Sequence, residues 1–160
     1  PSARRNMSFP PWLVPHPSMP HPCLPRLAGA LSLAAREERI AHSEGGTYIC
    51  MEGPQFSTRA ESFLYRSWDC SVIGMTAMPE AKLAREAEIP YALINLVTDY
   101  DAWKPKPAGT APALLEEILA NLAAATENAV QLIRQSLQLV TQRREELQQC
   151  PARDALKLAI

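Results

Sequence analysis

Apolar residues recur at positions 27, 30, 31, 34 and 35 within Leu24–Ala41. Steps of three and four put them on one side of a helix, so this segment is predicted to be amphipathic with one buried face. Gly45-Gly46 closes the connection that follows. Thr47–Met51 is short, apolar and rich in β-prone side chains, and it predicts a strand. Pro54 precedes the next helix. Thr58-Arg59-Ala60-Glu61 has the Ser/Thr-x-x-Glu form that satisfies the first free amides of a helix, which is expected to run to Trp68. Ser71–Met75 reads as a second strand. The helix Pro79–Glu88 carries its proline in the first turn, where a missing amide is tolerated. Tyr91–Val97 is apolar at every position but Asn95, the pattern of a strand buried on both faces. Strand, helix and strand from Ser71 to Val97 make a βαβ unit, with a right-handed crossover expected.

Beyond the Pro/Gly/Ala loop Lys104–Pro112, apolar residues fall at 115, 118, 119, 122, 129, 130, 133, 137 and 140. That spacing predicts one long or two short helices. Cys150-Pro151 interrupts it, and 151–160 is a tail or a short helix. At the other end, residues 1–25 hold more than half of the fifteen prolines. Proline lacks a backbone donor and breaks helices, so 1–25 is expected to be irregular. The bulk of the fold is placed in 26–150, and the fold class is α/β, a mixed β-sheet flanked by helices.

Composition narrows the function classes. The chain has 160 residues, 47% hydrophobic and 21% charged, which suits one globular domain with a real core. A formal net charge of −1 with no basic stripe argues against nucleic acid as a partner. No apolar run approaches the ~20 residues of a membrane span. Arg4-Arg5 leads into prolines and not into the apolar core of a signal peptide. Cys23, Cys50, Cys70 and Cys150 have neither zinc-ligand nor redox spacing and read as free thiols of a cytoplasmic protein. The chain begins with Pro1, which suggests a fragment or a processed product.

The candidate chemistry sits at the predicted strand ends, where open α/β sheets bind ligands. Asp99 and Asp101 follow the run Tyr91–Val97, and Thr76 follows Val72–Met75. On the pattern alone, the acidic pair is either a solvated turn or a ligand-facing pair. A metal site would need a third carboxylate or a histidine nearby. Met75 reads as core and Thr76 as a helix cap or an anion ligand. Phe56-Ser57 lies between a strand and a capped helix, and Glu52 stands just upstream. His16, alone, is a loop histidine.

Three blocks, EGPQFSTRAES, GMTAMPEAKLAREA and TDYDAW, stand in one order within Gly45–Pro105. Together they resemble the 5'-methylthioadenosine phosphorylase branch of the trimeric purine nucleoside phosphorylases. The resemblance covers roughly 14–135 and corresponds to the C-terminal half of the family's domain. It implies phosphate-dependent cleavage of methylthioadenosine to adenine and 5-methylthioribose 1-phosphate. No metal or organic cofactor is implied; phosphate is a co-substrate, and the assembly is a homotrimer. By the same resemblance Asp99 faces N7 of the purine and Asp101 lies near its 6-amino group. Met75 underlies the ribose, and Thr76 holds phosphate. Phe56 lies over ribose and base, and Ser57 helps set the 6-aminopurine preference. His16, in the run His16-Pro17-Ser18-Met19, reaches into a neighbouring subunit, and Leu115 lines the methylthio end. Glu52 matches an acidic position. The family's Gly-rich phosphate loop, Arg-His pair and further Thr belong to its other half and have no counterpart here. Asp69 stands where glycine is usual, and Pro90 and Ala102 where cysteine is frequent. Two other readings stay open: a 6-oxopurine or methylthioinosine phosphorylase, which Asp99 in place of Asn disfavours, and a non-catalytic fragment that at most binds a partner subunit.

Overall fold

The computed structural model describes residues 9–10, 12–105, 111–157 and 159. Among them the chain runs α1 (Pro25–Glu37), β1 (Tyr48–Cys50), α2 (Arg59–Ser67), β2 (Val72–Gly74), α3 (Ala77–Glu86), α4 (Ala111–Gln142) and α5 (Arg144–Gln148), then a 3₁₀ turn at Pro151–Asp154. The C-terminal pattern is one helix of 32 residues. The segment before α1 carries no helix or strand where it is described, as its prolines require. The expectations for 1–8 and for most of Lys104–Pro112 concern residues outside those described.

β1 and β2 pair in parallel, with Tyr48 opposite Val72, Ile49 opposite Ile73 and Cys50 opposite Gly74. The βαβ unit of the structure is therefore β1–α2–β2. Among the described residues the sheet has these two strands only, both parallel, and not the mixed arrangement expected. Tyr91–Val97 is not a strand in the structure. The carbonyl of its first residue is used elsewhere: Leu24 N donates to Tyr91 O at 2.7 Å. An apolar run signals burial, but a strand also needs a neighbour in hydrogen-bond register, and a two-stranded sheet of three-residue strands supplies little ladder.

Two apolar clusters hold the helices. Ala34 and Ala35 of α1 are 0% and 1% exposed and pack with Leu132 of α4, backed by Ile40, Ile94 and Leu139. Alanines at the contact let the two helices approach closely. Gln135 Nε2 donates to Glu37 at 2.8 Å beside that seam. The second cluster joins Leu24, Leu147, Cys150 and Ala152, with Leu27 and Val140 packed against it.

Three helices end the same way, and none uses glycine. Arg39, Asp69 and Glu88 each follow a helix with φ of 56°, 58° and 55°. In each case the next amide bonds back five residues: Ile40 N to Ala35 O, Cys70 N to Tyr65 O, and Ile89 N to Ala84 O. This is the Schellman arrangement, which satisfies otherwise free carbonyls. It explains why α1 stops at Glu37 and not at Ala41. An L-residue in this conformation costs about 1–2 kcal/mol, offset in part when glycine replaces it by glycine's greater freedom in the unfolded chain. Arg39→Gly is therefore expected to raise stability by about 0.5–1 kcal/mol. Urea titration checks this, and an unchanged or lowered midpoint counts against the cap analysis.

Candidate active site

β1 runs into a turn at Met51–Thr58 that is folded back on β2. Gly53 has φ +71°, and a Cβ placed there would lie 2.7 Å from Met75 Sδ. The absence of a side chain lets the turn close over Met75. The turn ends at α2, whose first amides are satisfied reciprocally. Glu61 N donates to Thr58 Oγ1 at 3.2 Å, and Thr58 N donates to Glu61 Oε2 at 2.7 Å. These bonds from Thr58, backbone first and then hydroxyl, hold the Glu61 carboxyl below the usual carboxylate range. Burial and the charge of Asp101 oppose them. The cap fixes Ser57 immediately before it, and Ser57 Oγ donates to the Asp101 carboxylate, 3.1 Å from each oxygen.

The turn Thr98–Trp103 is tied down from several sides. Asn121 of α4 donates its amide to Thr98 O at 2.7 Å. Trp103 N donates to the hydroxyl of Ser62, a residue of α2 that is 1% exposed. The Arg66 guanidinium lies 3.8 Å from the centroid of the Trp103 ring, a cation–π contact. Tyr100 meets Trp103 edge-on at 5.6 Å. Within this frame Thr98 Oγ1 donates to Asp99 Oδ1 at 2.9 Å. Asp99 is exposed and Asp101 half-buried, so the two carboxylates sit in different surroundings.

Thr76 is the N-cap residue of α3, directly after β2 and Met75, and its side chain makes no capping hydrogen bond. The capping hydrogen bond that one reading of Thr76 calls for is thus not made. The helix start presents amides and the positive end of its dipole, a suitable setting for an anion.

Phe56, Ser57, Met75, Thr76, Asp99 and Asp101 line one cleft of about 1230 Å³. Phe56 is 84% exposed and forms its outer wall. His16 and Glu52 are exposed and do not line the cleft. Leu115 points outward at 57% exposure, while Leu114 and Ile118 of the same helix line the cleft in its stead. The positioning residues Ser62, Arg66 and Asn121 were not singled out from the sequence. Ser62 is one helical turn beyond the cap residue Thr58, and that spacing was the available signal. Asn121 and Arg66 offered none, because their partners are remote in the chain. Among the described residues no group of three or more His, Cys, Asp or Glu is arranged to hold a metal ion, and no helix is long and apolar enough to cross a membrane.

Residues 2–138 match the Phosphorylase superfamily. The chain belongs to that superfamily. It is 43% identical over 159 residues to the S-methyl-5'-thioadenosine phosphorylase of Geobacter sulfurreducens, covering 99% of this chain and 53% of that protein. It is 59% identical over 103 residues to the protein of the same name from Cereibacter sphaeroides, covering 64% of this chain and 36% of that one. Among solved structures, a methylthioadenosine phosphorylase from an antarctic soil metagenomic library superposes with a TM-score of 0.77 at 42% identity, over 91% of this chain and 50% of that chain. An adenosine/methylthioadenosine phosphorylase mutant from Schistosoma mansoni, in complex with methylthioadenosine, gives 0.73 at 27% identity, over 89% of this chain and 53% of that one. The chain thus matches between about a third and about half of the length of these relatives. The α/β fold of this superfamily member is a partial nucleoside phosphorylase domain.

Proposed function

We propose that this chain carries the nucleoside-binding half of an S-methyl-5'-thioadenosine phosphorylase. The observation that carries the reading is the meeting of Ser57, Asp101, Asp99, Met75 and Thr76 in one cleft. Phosphate held at Thr76 and the α3 amides attacks C1' as the bond to the purine lengthens toward an oxocarbenium-like transition state. Asp99 supplies or shares a proton at N7 and so stabilises the departing base. Asp101, held by Ser57, accepts from the 6-amino group. The reaction breaks the N9–C1' bond, forms a phosphate O–C1' bond and leaves the proton on adenine. It calls for no metal or organic cofactor. A homotrimer in the cytoplasm completes the proposal, with His16 reaching a neighbouring copy. An aspartate at 99 in place of asparagine supports adenine over a 6-oxopurine.

A second reading concerns the chain alone. One hydroxyl and one helix start do little to balance the charge of phosphate, since an exposed helix terminus contributes only ~0.3–1 kcal/mol. Coverage of little more than half of any of these relatives supports a requirement for further anion ligands. One experiment addresses both readings. Adenine release is followed with residues 1–160 and with a chimera in which the Geobacter sulfurreducens relative supplies the half of its length that this chain does not cover. Phosphate-dependent release is expected from the chimera, and turnover well below ~1 s⁻¹, the low end of ordinary enzyme rates, from 1–160 alone. Release by the chimera that is equally fast without phosphate excludes phosphorolysis. Turnover by 1–160 at ordinary rates refutes the second reading.

A further inference from the structure

Residues 15–22 include Pro15, Pro17, Pro20 and Pro22. A proline has no amide to donate, so much of this stretch can be held only through its carbonyls. Arg85, in the last turn of α3, supplies the donors. Its Nη1 donates to Ser18 O at 3.1 Å and its Nη2 donates to His21 O at 2.7 Å. The planar guanidinium thus bridges two carbonyls of one turn as a rigid fork. Arg85 is half-buried, and its charge stands at the negative end of the α3 dipole, where it is favoured.

His16 stands just before this clamp. Pro15 and Pro17 have fixed φ, and Pro17 also confines His16 to an extended backbone. Few soft torsions therefore separate His16 from the Ser18 carbonyl, and fixing Ser18 fixes where the His16 side chain leaves the chain. That side chain is exposed and lies outside its own cleft. The same α3 begins at Thr76, which lines the cleft, so one helix carries the anion end of a site and the mount of the His16 segment. We infer that Arg85 is a positioning residue, holding the His16 segment in the pose that serves the cleft of a neighbouring copy. The inference rests on the homotrimer and the role of His16 proposed above. Arg85 itself touches no substrate; it acts on nucleoside binding through the two carbonyls.

Kinetics of the chimera test this. Arg85→Met should raise the apparent KM for methylthioadenosine roughly three- to tenfold, the worth of about one lost contact, with kcat and the KM for phosphate unchanged. His16→Ala should do the same, and the double variant should be no worse than His16→Ala alone, because both remove one contact. Arg85→Lys keeps the charge but not the fork; it should melt like the parent and show an intermediate KM. Subunit mixing separates positioning from local packing. In co-expressed Arg85→Met and Asp99→Asn chains, each Asp99→Asn chain lends an intact His16 segment to a neighbour's cleft. Part of the activity should then return to the parent KM. An unchanged KM, parallel changes in kcat and in the KM for phosphate, additive losses in the double variant, or mixed assemblies whose activity all stays at the raised KM would each overturn the inference. A parent chimera that releases no adenine with phosphate present fails the proposed function itself, before any Arg85 variant is compared.

Discussion

Asp99→Asn is expected to slow phosphorolysis of 6-aminopurine nucleosides by about 10²–10⁴-fold in the chimeric enzyme, the usual contribution of a general acid. An amide has no acidic proton to give as the purine leaves. It also presents a donor where a 6-oxopurine presents an acceptor, so discrimination against inosine-type substrates should narrow. The fold should not respond. The Thr98 hydroxyl that now donates to Asp99 Oδ1 at 2.9 Å finds the same acceptor in asparagine, and the turn is anchored from Asn121 and Ser62 independently of residue 99. Kinetics on both substrate types and a melting curve separate the two effects. Unchanged rates on both would remove Asp99 from the reaction, whereas a lowered melting temperature would assign it a structural part.

Signals that are local in the chain were legible, and those that depend on remote partners were not. The capping box at Thr58 was readable because its donor and acceptor are three residues apart and both satisfy the same helix start. The helix at α4 was readable from period alone, and its union into one element needed only the absence of a breaker between 115 and 140. Tyr91–Val97 shows the limit. Its apolarity announced burial on both faces, yet none of its residues is fully buried and Val97 is 63% exposed. Strand identity, and the cover that comes with it, is a property of a pair, and the partner is not written into the run itself. The same holds at the site. Asp99, Asp101 and Thr76 stood out because carboxylates and a hydroxyl directly follow apolar runs. Ser62 did not, because its place one turn beyond Thr58 marks only a helix face, and its partner, the Trp103 amide, arrives 41 positions later. Leu115 and Leu114 are adjacent, and a turn of 100° per residue decided which of them faces the cleft.

Gly74→Ala is expected to destabilise the chain by about 1–3 kcal/mol, the usual cost of forcing a methyl group into a filled space. Gly74 ends β2 opposite Cys50, and the Tyr48 ring crosses over it. A Cβ at residue 74 would stand 1.9 Å from the Tyr48 hydroxyl oxygen and 2.8 Å from the ring carbon that bears it. A rigid ring cannot give way at its tip alone; the whole side chain must turn, or β2 must shift. A shift of β2 carries Met75 and Thr76 with it, since they follow without an intervening turn. The apparent KM for phosphate in the chimera should therefore rise along with the loss of stability. The hydroxyl makes the closer of the two contacts, so Tyr48→Phe should restore part of the lost stability in the double variant, and Tyr48→Leu more of it. Coupling of this sign in denaturant titrations identifies the clash as the cause. Equal losses from Gly74→Ala with and without the Tyr48 hydroxyl would point instead to the ring itself, whose carbon lies 2.8 Å from the added Cβ, as the obstacle. A Gly74→Ala chain as stable as the parent would show that the ring is free to leave.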